Sequence, residues 1–472
     1  MGGTLFGGLQ TALSALEAQQ AVLATTAHNV ANVDTPGYAQ EQVALVPVPA
    51  ATTGLGQGTT PQPGGGVQIA DIQRVVSHFL NQQGWTNAGQ LAAATQDNTT
   101  LNQVQAILNE PSSAGLQNAL NVFWSAWQNL GTNPASTAAR QQLISAGQQL
   151  ASGFASIAST WQQLQGNLNT TVAADARQVQ SLAGRIATLN GQIAEQQGAG
   201  QNANDLKDTR DQLIGQLGTL VPVSVSQEPG GVVNLTVGSV QVVAGTQTDP
   251  LVATPDPSNH QYYSLSWGSA SGPPASLGAQ GGTLGALVAL RDQVLPGYLG
   301  QLNQLAADIG GAVNTQHAKG TSLTGTVTGL PFFVPSSGTS LSATTLQVNP
   351  QLVSNPADVA AAASPYQGPG DGSNAQAIGN LVNANIAGGT TAEDAYAALV
   401  GQIGSDTAAA TSSQSNLQAL QTSIQQQTQS VSGVSINEQM TYMVQAQNAY
   451  AAAAKVTATI DQMLGDLMNM VQ

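Results

Sequence analysis

The sequence contains no cysteine. That absence excludes disulfide cross-links, thiol nucleophiles and cysteine-ligated zinc or iron-sulfur centres, and it suits a chain that must stay free of cross-links during export. Charge is almost as scarce, with Asp, Glu, Lys and Arg making up 7% of the 472 residues against roughly 25% in an average soluble protein. Only 9 residues are basic, they are scattered among 24 acidic ones, and the net charge is -15. Phosphate recognition needs clustered Lys and Arg, so neither nucleic acid nor a membrane surface is expected as a partner. No apolar run approaches the roughly 18 residues that a spanning helix requires. The opening "MGGTLFGGLQTALSALEAQQ" has no basic n-region and no unbroken apolar core, so export is expected without a cleaved signal.

Catalytic patterns are missing too. His28, His78, His260 and His317 lie far apart with no HxxxH spacing, and no metal site is expected from them. "NANDLKDTRDQL" gathers Asp205, Asp208, Arg210 and Asp211 but lacks the alternating oxygen ligands, central Gly and terminal Glu of a calcium loop. It reads better as a helix start, with Asn204 or Asp205 as cap and Lys207 paired to Asp211 at i,i+4. There is no GxSxG elbow, Walker loop or dinucleotide fingerprint. The expectation is a protein that is not an enzyme and has no catalytic residues, no cofactor and no metal.

What the chain does have is periodicity at both ends. Leu5, Leu9, Ala12, Leu16, Gln19, Leu23, Thr26 and Val30 alternate spacings of four and three, which is a heptad stripe. Met443, Ala446, Tyr450, Ala453, Thr457, Ile460, Leu464, Leu467 and Val471 repeat the alternation at the other end, behind a capping box formed by Ser435 and Glu438. Their simplest mutual use is one coiled coil. Many stripe positions are Ala, Thr or Gln, so the pair buries little apolar surface against the entropy of ordering it. Both ends are therefore expected to be loose in the free chain and to order against other subunits. Five of the six methionines fall at positions 440, 443, 463, 468 and 470; they serve either adaptable intersubunit contact or ordinary core filling.

Between the ends the length predicts two to four domains. Residues 43–70 read as a hairpin-like excursion around a Gly, Pro and Thr loop, and helices are expected over 73–108 and 137–197. A shorter helix between them carries Phe123, Trp124 and Trp127, which read as a core patch rather than a stacking site. Residues 221–267 alternate in the strand period, a helix follows over 283–317, mixed β sequence runs to 373, and helix returns over 392–428. The fold class is α+β, mainly α: an elongated, discontinuous multidomain chain. Residues 1–35 with 434–472 form a terminal coiled coil, 36–219 with 374–433 a helical rod domain, and 220–373 an inserted β-rich outer domain with one long helix.

The first helix stops at "AHNVANVDTPGYAQEQ". Its Asn29, Asn32, Thr35, Pro36, Gly37 and Tyr38 resemble the signature of the bacterial flagellar axial proteins, the rod, hook and hook-associated group. Many relatives carry an Arg shortly after the Tyr, where Ala39 and Gln40 stand here. "NDLKDTRDQLIGQLGTLVPVSV", "GGTLGALVALRDQVLPGYLGQLNQLAADIGGAVNTQHAKG" and "SGVSINEQMTYMVQAQNAYAAAAKVTATIDQMLGDLMNMV" resemble the hook-associated junction members of that group.

The resemblance implies a structural, non-enzymatic component of the flagellum. It would polymerise as a helical ring with copies of itself at the distal end of the hook, connecting hook to filament. Implied partners are the hook protein, the second hook-filament junction protein and a dedicated cytoplasmic export chaperone at the C-terminal region. Type III export would carry it outside the cell. Packing would run through Leu9, Leu16, Leu23, Val30, Met443, Tyr450, Ile460, Leu464 and Leu467, with Pro36 and Gly37 setting an elbow and Tyr38 anchoring it beside a neighbouring helix. The alternatives are a hook or distal rod protein of the same family, and an enzyme or adhesin carried by the outer insertion.

Overall fold

The computed structural model describes residues 2–49, 64–269, 271–275, 277–278, 281–363 and 366–470. Helix α1 (Gly2–Ala31) leads into an antiparallel pair, β1 (Glu41–Pro47) and β2 (Val67–Arg74), with a bulge at Ala44/Leu45. This is the expected hairpin; the centre of its Gly, Pro and Thr loop lies outside the described residues. Four helices follow: α2 (His78–Leu108), α3 (Leu116–Thr132), α4 (Thr137–Gly198) and α5 (Asn204–Leu220). Helix α2 starts at 78 rather than 73, because Gln73 and Arg74 complete the β1 ladder.

Strands β3 (Ser224–Gln227), β4 (Val233–Val237), β5 (Val240–Ala244) and β6 (Gln247–Thr248) form an antiparallel meander, and β7 (Leu251–Asp256) pairs with β8 (Tyr262–Trp267). The long helix expected over 283–317 is three segments: α6 (Gly282–Ala289), a π turn (Leu290–Val294) and α7 (Leu295–His317). Pro296 lacks the N–H that would bind the carbonyl four residues back, and the turn before it widens. Short elements come next: β9 (Gly320–Thr321), β10 (Phe333–Pro335), β11 (Leu346–Val348), α8 (Pro350–Ser354), β12 (Ala362–Ala363) and α9 (Ser373–Gly379). Two long helices close the chain, α10 (Ala392–Ser432) and α11 (Ile436–Met470).

The contacts divide these elements into two compact units. The first unit comprises Met1–Ala88, Val179–Pro250 and Gln418–Gln472. Within it α1 packs on α11, and the β3–β6 meander is stitched to α4 by Asn190. The Asn190 amide donates to the Val233 and Gly245 carbonyls at 2.8 Å each, and its oxygen accepts from Val233 N and from Arg210 Nη1 at 3.2 Å. A buried amide with every group paired fixes the sheet in one register.

The second unit comprises Gly89–Gln178 and Leu251–Leu417. Its core holds the aromatic patch foreseen on α3. Phe123, Trp124 and Trp127 are buried together with Phe332 and Phe333, with ring centroids 4.9 to 6.3 Å apart in tilted or edge-on pairs. Such pairs add about 0.5 to 1.5 kcal/mol each beyond area burial. Arg140 is buried beside this core and donates to the Pro134 and Val359 carbonyls at 2.8 and 2.6 Å, with no carboxylate partner among the described residues.

Candidate functional site

Helices α1 and α11 run antiparallel. A Cβ placed on Gly8 would lie 3.3 Å from Ile460 Cδ1, Gln20 Nε2 donates to the Tyr450 hydroxyl at 3.4 Å, and Asn29 Nδ2 donates to Gln439 Oε1 at 3.0 Å. Numbers rise along one helix as they fall along the other. On α11, Met443, Tyr450, Leu464 and Leu467 are half-buried and Ile460 is buried, while nearly every residue off the stripe is exposed. On α1, Leu9, Leu16, Leu23 and Val30 are all half-buried. Full burial on α1 falls instead to small or polar side chains, Ala12, Ala18, Thr25, Thr26 and Asn29.

A second face of α1 supports the β1–β2 hairpin and was not foreseen. Ser14 Oγ accepts from Val67 N at 3.2 Å and Thr11 Oγ1 donates to the Gly64 carbonyl at 3.4 Å. Ala18 continues the same three-to-four spacing.

The signature residues form the elbow where α1 ends. Asn32 Nδ2 donates back to the His28 carbonyl, and Thr35 Oγ1 donates to Asn32 Oδ1, both at 3.1 Å. Gly37 sits at φ 78°, the left-handed region that a side chain disfavours. Pro36 presents its carbonyl to Gln212 Nε2 at 2.6 Å. Asn29, 1% exposed, is the hub. Its oxygen accepts from the Tyr38 hydroxyl at 2.8 Å and from Glu41 N at 2.9 Å, and its amide donates to the Glu41 carbonyl at 2.9 Å and to Gln439.

Tyr38 folds back onto α1, its ring edge-on to that of His28 at 5.5 Å. Burial and the nearby Glu41, Asp208 and Asp205 charges push its phenol well above the usual range, so it is a hydrogen-bond donor at any physiological pH.

Backbone groups hold the next residues. Ala39 N donates to Asp208 Oδ2 at 3.1 Å, and Gln40 N to the Ser432 carbonyl at 2.8 Å. Asp208 and Asp211 grip Arg74 at 2.6 and 3.0 Å. The carboxylates of "NDLKDTRDQL" thus lock α5 to β2 and the elbow, and Asp211 pairs with Arg74 where Lys207 was expected. Asn204 is not a cap but the first residue of α5, and its amide donates to the Ile72 carbonyl at 2.8 Å. At the start of α11, Glu438 accepts from the Tyr442 hydroxyl one turn on, at 2.9 Å.

Sequence reasoning missed Gln439, Arg74 and Gln212 as elbow residues. One step of the α11 heptad back from Ala446 reaches Gln439, so that residue was findable. Arg74 and Gln212 are joined to the elbow only by the fold.

The two ends match two family models, the flagella basal body rod protein over residues 9–38 and the basal body rod FlgEFG protein C-terminal over 425–470. Those ends alone would leave hook, rod and hook-associated proteins undivided. Residues 101–333 match the flagellar hook-associated protein FlgK helical domain. Flagellar hook-associated protein 1 of Bacillus subtilis (strain 168) is 29% identical over 98% of both chains. That of Escherichia coli (strain K12) is 27% identical over 98% of this chain and 99% of its own. Over nearly its whole length the chain is similar to flagellar hook-associated protein 1. That likeness supports a structural component of the flagellum, associated with other axial proteins, and the match over the middle of the chain favours a hook-associated protein over a hook or distal rod protein. The fold is similar to the flagellar hook junction protein FlgK from Burkholderia pseudomallei, with TM-score 0.64 and 19% identity over 74% of this chain and 100% of that one.

Proposed function

We propose that this flagellar hook-associated protein polymerises at the distal end of the hook and joins it to the filament. The observation that carries this reading is apolar surface left open on the terminal helices. Phe6 and Leu13 on α1, and Met440, Val444, Val456, Met463 and Met468 on α11, are 43 to 71% exposed. Three of these are methionines, so core filling within the chain does not account for them. Side chains of this kind at helical spacing suit contact with further helices.

A tube requires heterologous contact, each subunit giving one face to a different face of the next. In this reading the stripe of Leu9, Leu16, Leu23, Val30, Met443, Tyr450, Ile460, Leu464 and Leu467 holds the pair together, and the open residues meet neighbouring subunits. The segments 1–35 with 434–472 build the inner wall, 36–219 with 374–433 the rod, and 220–373 the outer insertion. The partners are copies of the chain, the hook protein, the second hook-filament junction protein and, before type III export, a chaperone at the C-terminal region.

The cysteine-free chain allows a direct test of position. Ser337→Cys, in the exposed loop between β10 and β11, gives one thiol for a gold label on intact flagella. Label confined to the boundary of hook and filament is the expected result; label along the hook or along the filament would refute the junction reading.

A further inference from the structure

The fold brings together three potential metal ligands that the sequence keeps apart. His28 closes α1, Glu41 opens β1, and Asp205 lies in the first turn of α5. One ligand atom from each lies within 4.8 Å of the other two. We propose that His28, Glu41 and Asp205 form a binding site for a zinc-class divalent cation that staples the elbow.

The spacing fits the chemistry. Bonds of about 2.0 to 2.1 Å to nitrogen and oxygen in a tetrahedron place neighbouring ligand atoms about 3.3 Å apart. His28 Nδ1 and Glu41 Oε2 stand 3.2 Å apart. The Asp205 side chain is exposed and its rotamer is free to close the third position, leaving the fourth for water. Imidazole with two carboxylates suits zinc and its neighbours; calcium and magnesium prefer six or more oxygens.

The charge balance supports the same conclusion. Neither Glu41 nor Asp205 forms an ion pair with a lysine or arginine among the described residues. Glu41 is mostly buried, with 10% of its side chain exposed, and its carboxylate meets the His28 ring nitrogen at 3.2 Å. An open groove of about 340 Å³, lined by polar residues and by Ala203 and Leu206, exposes Glu41 and Asp205 to solvent.

The bound cation would join the end of one helix, the start of a strand and the start of another helix. It would stiffen the turn through which α1 leaves its partner. The absence of cysteine removes thiol competition from any binding measurement.

The test is calorimetric titration of the untagged full-length protein with zinc sulfate, with cobalt chloride in parallel to read ligand geometry from its visible bands. The expected result is one equivalent of zinc per chain, with slower amide exchange over residues 28–41 on addition. Asp205→Asn and Glu41→Gln should each weaken binding by more than about tenfold, at least the loss typical of disturbing even an outer-shell partner. Asp205 is exposed, so its substitution leaves the fold intact even if the Glu41 variant does not. His78→Gln should bind as the parent does. No binding to the parent, a loss smaller than about tenfold in Asp205→Asn, or loss in His78→Gln would overturn the assignment.

Discussion

Asn29 shows how one side chain sets the geometry of the elbow. Its amide makes four hydrogen bonds, to Tyr38, to both backbone groups of Glu41, and to Gln439. Asn29→Ala would strand several of those partners in a buried site, at a cost of about 3 kcal/mol of stability in the first unit, measurable by chemical denaturation. A double-mutant cycle with Gln439→Ala should show about 1 kcal/mol of coupling, and strict additivity would contradict a direct bond. His317, in the second unit, makes a prediction about pH. It is fully buried, its Nδ1 bonds the Leu330 carbonyl at 2.6 Å, and its Nε2 accepts from Ala360 N at 3.0 Å. Burial lowers its pKa to about 4 from 6.5. The unfolded chain binds the proton more readily, so this stabilisation is fully present above pH 6.5 and is lost as pH falls toward 4. Between about pH 7.5 and 4.5 the parent should lose about 2 kcal/mol more than His317→Gln, read from denaturation midpoints at both pH values.

At the scale of elements, the terminal helices were legible because a heptad needs only spacing to be seen. The α11 stripe from Met443 to Leu467 is buried or half-buried, Val471 lies outside the described residues, and the strand period over 221–267 and the helices over 137–197 and 392–428 correspond to observed elements. What stayed hidden was set by partners distant in sequence. The second face of α1 is invisible without the β1–β2 hairpin it supports. The Arg74 clasp joins residues more than a hundred positions apart, and the π turn before Pro296 reflects a missing donor within an otherwise continuous apolar pattern. At the elbow, turn chemistry foretold Gly37, yet the direction of Tyr38 depended on where Asn29 pointed. The α1 and α11 pair buries mainly Ala, Thr and amide side chains and leaves its larger apolar groups open. It should therefore be the least stable part of the free chain. Hydrogen exchange on the purified monomer should be fast over 2–31 and 436–470 and slow over α4, then slow at both ends in assembled flagella. Protected ends in the monomer would contradict ordering on assembly.

For the whole molecule, the features argue in one direction. Low charge and missing cysteine suit a chain exported unfolded, terminal helices with open apolar faces suit a polymer, and the likeness to flagellar hook-associated proteins points to the flagellum. The central claim is that it forms the connection on which the filament is built. Deleting its gene and viewing the cells by electron microscopy tests that claim most directly. The account predicts complete hooks without filaments and flagellin shed into the medium, restored by the parent gene. Filaments of normal length and number on the deleted strain would contradict it.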